Sequence, residues 1–154
     1  MYRLLISLLV ILTQGVWAKE PVAEIIIRAD SATLNQTQGF AIYQGHAELH
    51  QGARLLRADW IKIELKNGQP LRIEARGEPV ELKDGDNIEA RGKRLIYDVP
   101  QRRMRSYEQA YVNHQGQIFE GAELEYQLDS KQIDARGGGE DGRVKLVIPA
   151  QQLE

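Results

Sequence analysis

Leu56-Arg57-Ala58-Asp59-Trp60-Ile61-Lys62-Ile63-Glu64-Leu65 contains two apolar–polar alternations that are out of step with each other. Leu56 and Ala58 occupy even positions, whereas Ile61, Ile63 and Leu65 occupy odd ones. A period of two places each set on one face of a β-strand. The step from Ala58 to Ile61 is odd, so the inward face carries across it only if one residue is inserted. Such an insertion is a β-bulge, which bends and twists its strand. This stretch therefore predicts a long strand bent just after Ala58.

The same phrase recurs on both sides. Ile27-Arg28-Ala29-Asp30 precedes it by 29 residues, Ile88-Glu89-Ala90-Arg91 follows it by 32, and Ile118-Phe119-Glu120-Gly121 is a looser copy 30 further on. The apolar phase flips after each copy, from Ala29 to Ala32, from Ala90 to Leu95 and from Gly121 to Ala122. Turn signals punctuate the chain at Asn35-Gln36-Thr37-Gln38-Gly39, Gln51-Gly52, Lys66-Asn67-Gly68, Lys83-Asp84-Gly85-Asp86, Pro100-Gln101, Gln115-Gly116, Asp129-Ser130-Lys131 and Gly137 to Gly142. Each repeat is thus about two strands long, the mark of a quasi-linear stack. No stretch beyond the first eighteen residues keeps a helical period. The expected fold is all-β: a twisted, open-ended β-jelly roll built from repeated strand pairs, with bulges bending two long sheets into a V or flattened roll. The end strands, near Ile25 to Leu34 and Val144 to Ile148, would expose unpaired edges suited to head-to-tail strand addition; an edge capped by the chain's own tail is the plainer alternative.

Residues 1–18 read as an export leader. Arg3 is followed by an apolar run from Leu4 to Leu12, and Val16-Trp17-Ala18 fits a cleavage site. The run is shorter than the roughly 20 residues of a spanning helix. A single domain from Lys19 to Glu154 in the periplasm is expected. The chain carries 20 Lys plus Arg against 22 Asp plus Glu, and no cysteine. That excludes a disulfide framework, thiolate metal sites, cysteine nucleophiles and a lipid-modified cysteine at the cut. It also argues against a nucleic-acid partner, which needs a basic excess.

Sites for chemistry are sparse. His46, Glu48 and His50 alternate with Ala47 and Leu49, so they belong to a solvated strand face. Residues four apart on a strand lie roughly 13 Å apart, too far to share one metal ion. Gly137-Gly138-Gly139-Glu140-Asp141-Gly142 matches a dinucleotide fingerprint in spelling, but a strand pattern rather than a helix follows it. The sequon Asn35-Gln36-Thr37 falls in a turn, where Asn is common. Arg102-Arg103-Met104-Arg105 is the one basic knot, and it reads as a solvated face before it reads as an anion contact. No cofactor, metal or catalytic residue is expected. The inward positions are Ile61, Ile63, Leu65, Leu71, Ile73, Val80, Leu82, Ile88, Tyr97, Val99, Val112, Leu124 and Tyr126. An apolar interior with open ends can accept acyl chains, at about 0.8 kcal/mol per buried methylene, or it can pack as a dry core.

Ile25 to Leu34, Ala41 to Leu49, Leu56 to Asp59 and the closing Arg143 to Gln151 resemble the OstA-like family, and the resemblance spans Ile25 to Gln151. It implies a β-jelly roll whose groove holds the acyl chains of lipid A. By position the groove residues would be Ile25, Ile27, Leu65, Leu82, Tyr97, Val99, Phe119, Leu124 and Tyr126, to which the alternation adds Ile61, Ile63 and Ile73. It further implies a non-enzymatic bridge for lipopolysaccharide. The N-terminal edge would meet an inner-membrane export component, the C-terminal edge an outer-membrane translocon, and copies would join head to tail. A cleavable leader and one domain fit the soluble member better than an anchored or barrel-bearing one. A purely structural β-adaptor and a glycan-active enzyme are the competing readings.

Overall fold

A computed structural model describes residues 23–138 and 141–152; the proposed leader lies outside them. Ten strands follow in order: β1 Ile25–Arg28, β2 Ser31–Asn35, β3 Phe40–Gln51, β4 Arg54–Lys66, β5 Gln69–Asp84, β6 Ile88–Asp98, β7 Arg103–His114, β8 Gln117–Gln127, β9 Ile133–Arg136 and β10 Lys145–Val147. A single 3-10 turn, Ala150–Gln152, comes last. The expected turns fall at the strand junctions, although Asn35, Gln51, Lys66, Lys83 and Asp84 are still strand residues, and residues 139 and 140 of the glycine run lie outside the described residues. The first expected strand is broken in two, because Ala29 and Asp30 interrupt its pairing with β3.

All pairings are antiparallel, and they join into one sheet rather than the two sheets expected. β1 and β2 both pair with β3 at one end, and β9 and β10 both pair with β8 at the other. One sheet behaves like two because every pairing from β3–β4 to β7–β8 is irregular at the same level. The register shifts between Gln44 and Ala47, between Arg57 and Trp60, between Arg76 and Val80, between Arg91 and Arg94, and between Tyr107 and Ala110. These shifts draw a crease across the sheet, and extra residues at a bulge bend a strand. The four sequence flips all fall on this line. The odd-numbered strands carry it too: Gly45 and His46, and Glu108 and Gln109, have positive φ there.

Side chains beside the crease are small. Ala47 faces Ala58 across strands, Val80 faces Gly92, and Ala110 faces Gly121. Larger groups would prop the two halves apart where they converge. Farther from the crease the rows grow bulkier. One half carries Ile27, Leu49, Leu56, Leu82, Ala90, Val112 and Phe119 in register; the other carries Tyr43, Ile61, Ala75, Leu95, Ser106 and Leu124. The two rows share one apolar core, in which Ile61, Val80, Ala75, Ala90 and Val112 are fully buried.

The crease is held by hydrogen bonds. At the edge, the Asp30 amide donates to the Gly45 carbonyl at 2.8 Å, and the Asp30 carboxylate bonds the His46 ring at 2.8 Å. That hydrogen bond, helped by the carboxylate's charge, raises the His46 pKa above its ordinary value. On the outer face, Arg76 and Arg94 both donate to Glu74 while lying over the rings of Trp60 and Tyr107. Burial alone would push the Glu74 carboxyl upward, but the two guanidinium groups together bring it below the usual range.

Candidate functional site

Two rows of inward side chains face each other across the opening of the fold. The outermost row of the first half runs in unbroken register through Ile25, Gln51, Arg54, Asp84, Ile88, His114 and Gln117. In the second half the matching row is Ala41, Ile63, Ile73, Tyr97, Met104, Tyr126 and Ile133. They meet where the Arg54 guanidinium lies 5.9 Å from the Tyr97 ring and the His114 ring lies 5.8 Å from that of Tyr126. Neither pair is hydrogen-bonded through the sheet, so these contacts record the two halves closing on each other.

Between them runs a cleft of about 70 Å³ whose walls are mainly aliphatic, with Leu49, Leu56, Leu82 and Ile88 opposite Ile73, Leu95, Tyr97, Met104, Tyr126 and Leu128. Burial in this wall raises the Tyr126 pKa, and the nearby charge of Asp84 adds to the effect. Polar groups are confined to the rim, at Gln51, Arg54 and Asp84.

Of the expected groove residues, Ile25, Ile73, Leu82, Tyr97 and Tyr126 line the cleft. Ile61, Ile63 and Leu124 are buried in the core beneath it, and Ile27, Leu65 and Phe119 pack on that core while partly exposed. Val99 lies in the turn after β6, outside the lining, with its amide donating to the Leu71 carbonyl at 3.1 Å. Leu71 keeps the inward phase but is 39% exposed, because it sits at the open end where no opposing row covers it. Leu49, Leu56, Leu95, Met104, Gln51, Arg54 and Asp84 were not foreseen as lining. The signal was present: Gln51 continues the phase of Leu49, Arg54 that of Leu56 and Asp84 that of Leu82. Gln51 and Asp84 fall within turn signals, and Arg54 is a charged residue two positions beyond one.

The chemical candidates resolve into surface features. Glu48 bonds both His50 and Arg57, whose hydrogen bonds lower its pKa. Arg102 pairs with Asp129 and Arg103 with Glu125, while Met104, the next residue, points into the cleft. The glycine run lies between β9 and β10, with no helix opening after it. Among the described residues, no three His, Asp or Glu side chains gather as metal ligands.

The edges are the other distinctive feature. Among the described residues, the exposed large apolar side chains are Ile25, Ile26 and Leu34 at the first edge, Val144, Leu146, Val147 and Ile148 at the last, and Leu71. A free strand edge with apolar side chains is a template for another strand.

A single creased sheet, open at both ends and apolar within, defines the class of all-β proteins with an interior cleft and two pairing edges. The chain belongs to the LptA/(LptD N-terminal domain) LPS transport protein family, whose model matches residues 26–132. It is similar to the lipopolysaccharide export system protein LptH of Pseudomonas aeruginosa, with 31% identity over 72% of this chain and 67% of that one. It is also similar to the lipopolysaccharide export system protein LptA of Haemophilus influenzae, at 22% identity over 82% of this chain and 78% of that protein. The crystal structure of P. aeruginosa LptH, described as the LptA-homologous periplasmic component of the lipopolysaccharide transport device, superposes with a TM-score of 0.73 at 27% identity. The match covers 82% of this chain and 96% of that one. The twisted, open β-jelly roll expected from the repeats is thereby shared with a solved relative.

Proposed function

We propose that this protein is a periplasmic, non-enzymatic carrier of lipopolysaccharide, exported by removal of residues 1–18. It holds lipid acyl chains in the cleft while the polar headgroup stays outside the apolar wall. The observation that carries this reading is the aliphatic cleft that opens between the two half-sheets beside their shared core. Ile25, Ile73, Leu82, Tyr97 and Tyr126 are the first contacts, and Ile27, Ile61, Ile63, Leu65, Val99, Phe119 and Leu124 join as the halves separate. Family membership and the names of the relatives support the cargo and the compartment. The exposed apolar groups on β1 and β10 support assembly by strand addition. The N-terminal edge meets an inner-membrane export component or another copy, and the C-terminal edge meets the next copy or the outer-membrane translocon.

A photo-crosslinking residue placed singly at Leu82 and at Lys83 in living cells tests the cargo. Leu82 lines the cleft and Lys83 is exposed on the opposite face. A lipopolysaccharide adduct at Leu82 and none at Lys83 is expected. Adducts at neither position, with the protein folded and exported, would leave a dry β-adaptor as the correct reading.

A further inference from the structure

The cleft contains one feature that carrying apolar chains does not require. Among the described residues that line it, Arg54 is the sole cation. It sits at the rim, on the inward face, in the outermost row of the first half. Its Nε and Nη2 donate to Asp84 Oδ2 at 3.2 and 2.9 Å, and Nη1 donates to Gln51 Oε1 at 3.4 Å. The guanidinium also lies 5.9 Å from the Tyr97 ring on the opposite half. The side chains of Arg54 and Asp84 are 30% and 36% exposed, so the pair is neither sealed in the core nor free in solvent.

We propose that Arg54 reads the headgroup of the cargo: an amphiphile bearing a phosphate is held by this guanidinium while its chain fills the cleft, and Asp84 is the competing partner when the cleft is empty. The proposal rests on the lipid-carrier reading above and adds the chemical class selected at its rim. The placement supports it. A chain lying against Leu56, Leu82 and Tyr97 emerges beside Arg54, because Arg54 and Leu56 share one strand face two residues apart. The planar guanidinium fork fits phosphate better than it fits a sugar hydroxyl, and a phosphate brings charge as well as acceptor oxygens. A structural ion pair would serve as well outside the apolar wall; placed inside the mouth, it costs desolvation that a charged ligand can offset. Asp84 orients the fork before cargo arrives and repels an anion, so it sets the threshold for selection.

The test compares the full chain with its Arg54→Gln and Asp84→Asn variants. Dodecyl phosphate and dodecyl maltoside are titrated by calorimetry below their micelle concentrations, and inorganic phosphate is added as a competitor. The readout is the ratio of the two affinities. The parent chain is expected to favour the phosphate. Arg54→Gln is expected to reduce that ratio about tenfold or more, the value of a lost charge-assisted contact. Asp84→Asn is expected to increase it. An unchanged ratio in Arg54→Gln overturns the proposal while leaving the carrier reading intact. Displacement of dodecyl phosphate by equimolar inorganic phosphate overturns it in favour of a free-anion site. Failure of both detergents to bind the parent overturns the proposal together with the cleft reading. If Arg54→Gln does not fold, Asp84→Asn decides: a raised ratio supports the proposal, and an unchanged ratio overturns it.

Discussion

Ser106 is fully buried, and its hydroxyl donates to the Arg91 carbonyl at 2.8 Å. The crease creates the need for it. Beyond Arg91 the β6–β7 register breaks until Arg94, so the ladder skips that carbonyl's neighbourhood. Gly92 leaves the space the hydroxyl uses: a Cβ there would collide with Ser106 Oγ and come within 2.9 Å of the Tyr107 carbonyl. Ser106→Ala is expected to destabilise the fold by about 1–3 kcal/mol in urea unfolding, the cost of a buried carbonyl left without its donor. A change under about 0.5 kcal/mol would mean that the carbonyl finds another partner. Nothing in the local sequence marks this serine, since its partner is 15 residues away and is exposed only by the bulge.

At the scale of elements, the molecule is organised by its crease and its two edges. The crease was legible in part, through the odd apolar steps at Ala58 to Ile61 and Ala90 to Leu95. β5 carries the same odd step, from Ala75 to Val80, whereas in β3 and β7 the inward steps from Tyr43 to Ala47 and from Ser106 to Ala110 are even, so the alternation crosses the crease without a flip. The edges depend on pairing partners. β10 contributes only Lys145–Val147 to the sheet, opposite Ile118–Glu120, and leaves Leu146 and Ile148 52% and 41% exposed. If this edge receives a second chain, Leu146→Asp weakens self-association at least tenfold, about 1.4 kcal/mol, in light scattering at high protein concentration. Monomer stability should change by less than about 1 kcal/mol, as expected for an exposed position. Unchanged association would place the contact elsewhere.

At the scale of the whole molecule, the cleft is closed more tightly than the proposed lipid cargo would need. Ligand pockets commonly span roughly 300–1,000 Å³, whereas this cleft holds about 70 Å³. An empty apolar groove gains by shutting, since each wall removes the other from water. If the cleft takes lipid as proposed, the halves must part at the rim, with the Arg54–Tyr97 and His114–Tyr126 contacts yielding first. The absence of cysteine makes this directly measurable. Spin labels on Lys83→Cys and Gln101→Cys, at the far ends of the two halves, should move apart when lipopolysaccharide is added. A constant distance at saturating lipid would show that the cargo binds without opening the cleft.

The sequence by itself determined the all-β class, the strands, the turns and most of the inward face, because alternation and turn chemistry are local and each is written within a few residues. It also carried the family resemblance, through phrases such as Ile27 to Asp30 and Leu56 to Asp59. Tertiary structure alone decided that the strands form one creased sheet, that Leu71 stays exposed while Leu95 and Met104 face the cleft, and that Gln51, Arg54 and Asp84 form a polar rim. Those outcomes depend on which rows meet when the sheet folds across its crease. That is a relation between residues dozens of positions apart, set by packing, and no single strand's pattern contains it.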